Sequence, residues 1–151
     1  MAKYNLREKK EKPAIYRMAV KPEVIDEIYE QILKKMIVEK KFRDPKFTAQ
    51  KLAEEIGTNT RYISAAVSLR FQQNYTELIN GYRIREAIAI MTDRRNKGIT
   101  MGEVAKASGF ANRQSFYAAF YRIHGKTPKD YQTHFFAKAA EPKRGKKAKT
   151  E

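Results

Sequence analysis

One pattern occurs twice in this chain, and it constrains the fold more than any other feature. Leu52-Ala53-Glu54-Glu55-Ile56-Gly57 is followed by Asn59, and Val104-Ala105-Lys106-Ala107-Ser108-Gly109 is followed by Asn112. The two glycines lie 52 residues apart. In each copy a threonine (Thr48, Thr100) stands where it can cap a short helix, the glycine can take the left-handed conformation that ends it, and the asparagine can cap a second helix. The second helices run over about residues 60–68 and 113–121. In the first copy two short helices joined by a three-residue turn containing glycine make a helix-turn-helix pattern, which the second copy repeats. In the first copy Leu52, Ala53, Ile56, Ile63 and Val67 are expected inside, leaving Thr60, Arg61, Ser64, Ala65 and Ser68 outward.

Between the copies lies the longest periodic run. Asn74 and Glu77 form a capping box, and Leu78, Ile79, Tyr82, Ile84, Ala87, Ile88 and Met91 run down a helix expected to end near Arg94-Arg95-Asn96-Lys97-Gly98. Roughly 22 residues at 1.5 Å each give a rod of about 33 Å. Recognition helices on one face of a duplex must enter major-groove segments that repeat every 34 to 36 Å or so, so the rod length suits one monomer reaching two of them. Before the first copy, Val24, Ile25, Ile28, Tyr29, Ile32, Leu33, Met36 and Ile37 fall at helical spacing, with Glu23, Asp26, Glu27, Glu30, Lys34 and Lys35 opposite. This stripe reads as one wall of the core or as a dimer face. After the second copy, Thr127-Pro128 opens a short helix through Tyr131. The fold class expected is all-α: two helix-turn-helix units joined by a long linker helix, with an extra N-terminal helix.

Charge indicates the partner. The 151 residues hold 32 Lys+Arg against 17 Asp+Glu, a net +15. A folded chain with that excess seeks nucleic acid or an anionic membrane surface. By segment the net charge is +5 over residues 1–21, −1 over 22–45, +7 over 46–137 and +4 over 138–151. The organisation expected is a basic flexible arm (1–21), an amphipathic helix (22–45), a double helix-turn-helix domain (46–137) and a basic flexible tail (138–151). The tails either solubilise the chain or add sequence-blind attraction to phosphate.

Several classes drop out. With no cysteine there is no disulfide scaffold, zinc ribbon or thiol chemistry. His124 and His134 are too few and too far apart for a histidine metal site. No Gly-rich phosphate loop and no Ser, His and Asp set is suggested, so an enzyme is not expected, and neither is a metal or a cofactor. No apolar run approaches the roughly 18 residues of a membrane span, and the N-terminus lacks an apolar signal core. The sequence reads as a soluble cytoplasmic, nucleoid-associated protein.

The stretch from Phe47 to Thr133, about 87 of 151 residues, resembles the DNA-binding domain of the AraC family of bacterial transcription regulators. The resemblance rests on Lys51-Leu52-Ala53-Glu54-Glu55-Ile56-Gly57, on Tyr62-Ile63-Ser64, and on Ile79-Asn80-Gly81-Tyr82-Arg83-Ile84-Arg85-Glu86-Ala87. It also rests on Gly109-Phe110, Phe116, Phe120, Gly125, Thr127-Pro128 and Tyr131. The family fold has seven helices, with two helix-turn-helix units joined by a long helix. Carried over by position, the resemblance implies base reading by Arg61, Ser64 and Ala65 on the first recognition helix. On the second it implies base reading by Arg113, Gln114, Tyr117 and Ala118. Arg can bond guanine O6 and N7 together, Gln can bond adenine N6 and N7, and Ala can touch a thymine methyl. Contacts to the DNA backbone are expected from Thr60, Ser68, Asn112, Ser115, Arg122 and Lys126, and Arg61 and Arg113 have phosphate contact as their simpler role.

The chain departs from the family pattern in places. Ala65 and Ala118 stand where many members carry a long polar or basic side chain, Val67 replaces the usual Phe, and Gln132 stands where Arg is common. Only 46 residues precede Phe47, where most members have a sensor or dimerisation domain of 100 residues or more. The expectation is a complete single-domain member regulated through its abundance or a protein partner. The expected partners are double-stranded DNA together with RNA polymerase or another regulator, and the chain acts as a monomer or as a homodimer through the 24–37 helix. The rival reading is an architectural protein that binds nucleic acid without regard to sequence.

Overall fold

A computed structural model describes residues 20–140, and every regular element among them is helical. The seven α-helices are α1 (Pro22–Leu33), α2 (Ala49–Ile56), α3 (Thr60–Phe71), α4 (Tyr75–Met91), α5 (Met101–Ser108), α6 (Arg113–His124) and α7 (Pro128–Ala139). Most of the basic tails expected at 1–21 and 138–151 lies outside the described residues. The exceptions are Val20 and Lys21, which lead into α1, and Lys138 to Ala140 at the end of α7.

The chain divides into two compact units, residues 1–83 and 84–151, with the boundary inside α4. Each has its own core. In the first, Ile25, Ile28, Ile32 and Met36 of the N-terminal segment are buried together with Phe42, Phe47, Leu52, Ile63, Val67, Leu78 and Ile79. In the second, Ile84, Ala87 and Met91 are buried with Val104, Phe110, Phe116 and Phe120. α4 therefore serves two apolar clusters in succession, its first half in one and its second half in the other.

In the first unit α1 packs against α3 and α2, so its apolar stripe is core. The helix continues past Leu33 as one π-turn, Lys34–Val38, closed by the Glu39 amide on the Lys34 carbonyl at 3.0 Å. The wider turn keeps Met36 inward and leaves Ile37 outside, 56% exposed, although the helical spacing put Ile37 in the stripe. Lys40 then adopts a left-handed conformation (φ 52°), and a 3₁₀ turn over Lys41–Arg43 leads to Phe47. Two side chains of α4 hold this connection. Buried Arg83 donates from Nε to the Phe42 carbonyl (2.8 Å) and from Nη2 to the Asp44 carbonyl (3.0 Å), and the Tyr75 hydroxyl donates to the Phe47 carbonyl (2.5 Å). Burial lowers the pKa of Arg83 and pushes that of the Tyr75 phenol above its usual range, while the adjacent Arg83 charge works against the Tyr75 shift.

Two helix ends differ from the sequence reading. α4 spans 17 residues rather than about 22, so its length is about 26 Å and does not supply the groove repeat of about 34 Å. It stops because Asp93, with extended backbone, accepts from the Arg95 amide (2.9 Å) and caps a 3₁₀ turn over Arg94–Asn96. Asp93 also receives the Arg95 guanidinium, which holds the carboxyl below its ordinary value. α7 runs on from Tyr131 to Ala139, eight residues beyond the end expected from the sequence. Gln132, buried on α7, donates from Nε2 to the Met91 carbonyl at 2.9 Å and so satisfies the end of α4.

Candidate nucleic-acid interface

Each helix-turn-helix lies in its own unit and is built by the same local chemistry. In the first, Thr48 Oγ1 accepts the Lys51 amide (3.2 Å), Gly57 (φ 87°) closes α2, and Asn59 Oδ1 accepts the Tyr62 amide (3.0 Å) to open α3. In the second, Thr100 Oγ1 accepts the Glu103 amide (3.1 Å), Gly109 (φ 101°) closes α5, and Asn112 Oδ1 accepts the Ser115 amide (2.8 Å) to open α6. Asparagine accepts from N3 in both copies, which fixes the backbone where each recognition helix begins. The glycines have the positive φ that a side chain would strain.

α6 presents a wide polar face. Phe116, Ala119 and Phe120 are buried at i, i+3, i+4 spacing, and Arg113, Gln114, Ser115, Ala118, Tyr121 and Arg122 are exposed. Tyr117 is half-buried, with its ring edge-on to Phe116 (5.9 Å, 89°). The Arg113 guanidinium carbon lies 4.9 Å from the Tyr117 ring centroid, and Nη2 is 3.4 Å from the hydroxyl. A stacked arginine keeps its planar donors while losing rotamer freedom, so less is left to order when it bonds a base edge. Lys126 is exposed just before α7.

α3 offers less. Thr60, Arg61 and Ser64 are exposed, but Ala65 is 5% exposed and Ser68 is half-buried. Ala65 was expected to face bases, and the structure corrects this: α1 and α2 both pack against α3, and Ala65-Ala66-Val67 is buried as a block. The Arg70 guanidinium grips Asp26 of α1 (Nη2 to Oδ1, 2.6 Å), fastening the far end of α3 to that helix. Asn112, placed by the sequence among backbone contacts, spends its carbonyl oxygen on the cap. Tyr121, 60% exposed and four residues beyond Tyr117 on the same face, was not singled out from the sequence. Its i+4 spacing from Tyr117 is the signal that could have found it.

The helix-turn-helix domain family matches residues 52–134, a span that takes in both motifs and the helix between them. The chain belongs to the AraC-type helix-turn-helix family. AraC-type domains are DNA-binding parts of transcription regulators and not enzymes, and this chain is a DNA-binding transcription regulator of that kind. No curated protein gives a significant match. Among solved structures, the fold is similar to the C-terminal domain of the two-component response regulator yesN from Fusobacterium nucleatum (TM-score 0.59, 22% identity, covering 68% of this chain and 97% of that one). It is also similar to the C-terminal domain of AraT, a response regulator from Geobacillus stearothermophilus (0.61, 18%, 76% and 86%). A DNA-binding transcriptional dual regulator from Escherichia coli K-12 gives 0.57, 17%, 78% and 96%. At these identities the likeness shows the fold.

The AraC-type frame also orders the electrostatics. Counted over described residues, 20–83 carry 11 basic and 9 acidic side chains and 84–140 carry 10 and 4, net +2 and +6. In the first unit cations are partly spent internally. Glu55 takes the Lys35 ammonium at 3.1 Å and that of Lys41 at 3.7 Å, and this hydrogen bond is the main cause that raises Lys35 above its ordinary value. Among the described residues no helix is long and apolar enough to cross a membrane.

Proposed function

We propose that this AraC-type chain is a sequence-specific regulator that inserts α3 and α6 into successive major-groove segments of double-stranded DNA. The observation that carries the reading is the exposed face of α6, where Arg113, Gln114 and Ala118 stand opposite the buried Phe116, Ala119 and Phe120. Arg113 and Gln114 match guanine and adenine by donor and acceptor geometry, and the Ala118 methyl suits apolar contact with a thymine methyl. Arg61 and Ser64 are the exposed polar side chains that α3 brings to its groove segment. Thr60, Ser115, Arg122 and Lys126 hold phosphates, with Ser68 and the amide nitrogen of Asn112 at the margins.

The chain acts as a monomer in this reading, because the stripe that would have made a dimer face lies in the first core. Contacts to RNA polymerase or to another regulator then fall on surfaces away from α3 and α6, and the chain works at the nucleoid. The net charge of +15 favours the rival, a sequence-blind architectural binder. Selection from randomised duplexes separates them. Sequence-specific binding enriches a motif, and the rival enriches none.

A further inference from the structure

We infer that the two recognition helices share the work unequally, with α6 reading bases and α3 contributing a short, sequence-blind anchor. The inference rests on the proposed reading and adds which residues determine specificity.

The exposed face of α3 ends early. Ala65, Ala66 and Val67 are buried in succession and Ser68 is half-buried, so only Thr60, Arg61 and Ser64 project, within the first turn and a half. Two of those are short hydroxyls, which serve a phosphate oxygen as readily as a base. α6 is packed by α5 and α7 through its Phe116 side and stays open along about two and a half turns, from Arg113 and Gln114 through Ala118 to Tyr121. It carries two side chains capable of paired bonds to a base edge, a methyl group, and an exposed ring for an apolar contact.

Tyr117 has a distinct part in this. Its ring is half-buried, braced edge-on by Phe116, and Arg113 lies across it. Tyr117 is a positioning residue: it holds the guanidinium in place before DNA arrives, and this reduces the ordering cost of the contact. The excess charge of the second unit, +6 against +2 over the described residues, puts more of the long-range attraction in the unit that holds α6.

The test is selection from random duplexes by the full chain and by four variants, each checked by circular dichroism for an unchanged helix content. The wild type should return one strong block of preferred bases beside a block of low information. Arg113→Ala should lower affinity for the preferred duplex about 10-fold or more and erase preference at one position in the strong block. Arg61→Ala should weaken all duplexes by the same factor and leave the motif unchanged. Tyr117→Leu should blur the position that Arg113 reads, and Tyr117→Phe, which keeps the ring, should restore it. Two blocks of equal information, or a base preference lost in Arg61→Ala, would overturn the inference while leaving sequence-specific binding intact. The absence of any motif would instead remove the reading on which it rests.

Discussion

At the scale of single residues, the side chains that matter most to the first unit are polar ones that sequence periodicity passed over. Arg83 and Tyr75 sit on α4 among apolar neighbours and donate to the carbonyls of Phe42, Asp44 and Phe47, the Asp44 carbonyl also accepting the Phe47 amide at 3.1 Å. Burial raises the Tyr75 pKa, so the folded state holds this proton more tightly than the unfolded chain does. The sign follows. Below about pH 10 the contribution to stability is fully present, and it is lost as pH rises through the higher folded value. An alkaline absorbance titration should show a late-titrating phenol, and Tyr75→Phe should abolish that lag. A lag that persists in that variant would assign the late titration to another tyrosine. Exposure of the candidate contact residues was legible in part: Arg61, Ser64, Arg113, Gln114 and Ala118 are exposed, whereas Ala65 is not. Its burial comes from packing around α3, which helical spacing within α3 cannot report.

Among the elements, capping chemistry was the most legible signal. Thr48, Asn59, Thr100, Asn112 and Thr127 each accept the amide that their position predicts, and Asn74 and Glu77 close a reciprocal box. These are local interactions within three residues, so the sequence contains all their partners. Helix ends set by distant or competing contacts were not legible. α4 is cut short by Asp93, and α7 is prolonged past Tyr131, where the sequence suggested its end. The caps make a direct prediction. Asn112→Ala should cost about 1 kcal/mol in urea unfolding, and Asn112→Asp should retain most of that stability. Equal losses in the two variants would show that Asn112 acts other than as a cap.

For the molecule as a whole, the duplicated motif belongs to two units, each with its own core, and the charge is unevenly shared between them. The length of α4 was the one large-scale argument from sequence that failed, since a pattern of apolar residues gives a helix but not where competing turns end it. Residues 141–151 carry five basic and two acidic side chains. Deleting them should lower affinity for every duplex alike and flatten the dependence of binding on salt, as read from anisotropy at several ionic strengths. An unchanged slope would leave that segment a solubiliser. The central claim, that specificity rests on a few outward side chains while net charge supplies sequence-blind affinity, is tested most directly by the affinity ratio between the selected duplex and a scrambled one from low to physiological salt. Both affinities should fall steeply with salt while the ratio stays at about 10³ or above. A ratio near one at every salt concentration would contradict the account.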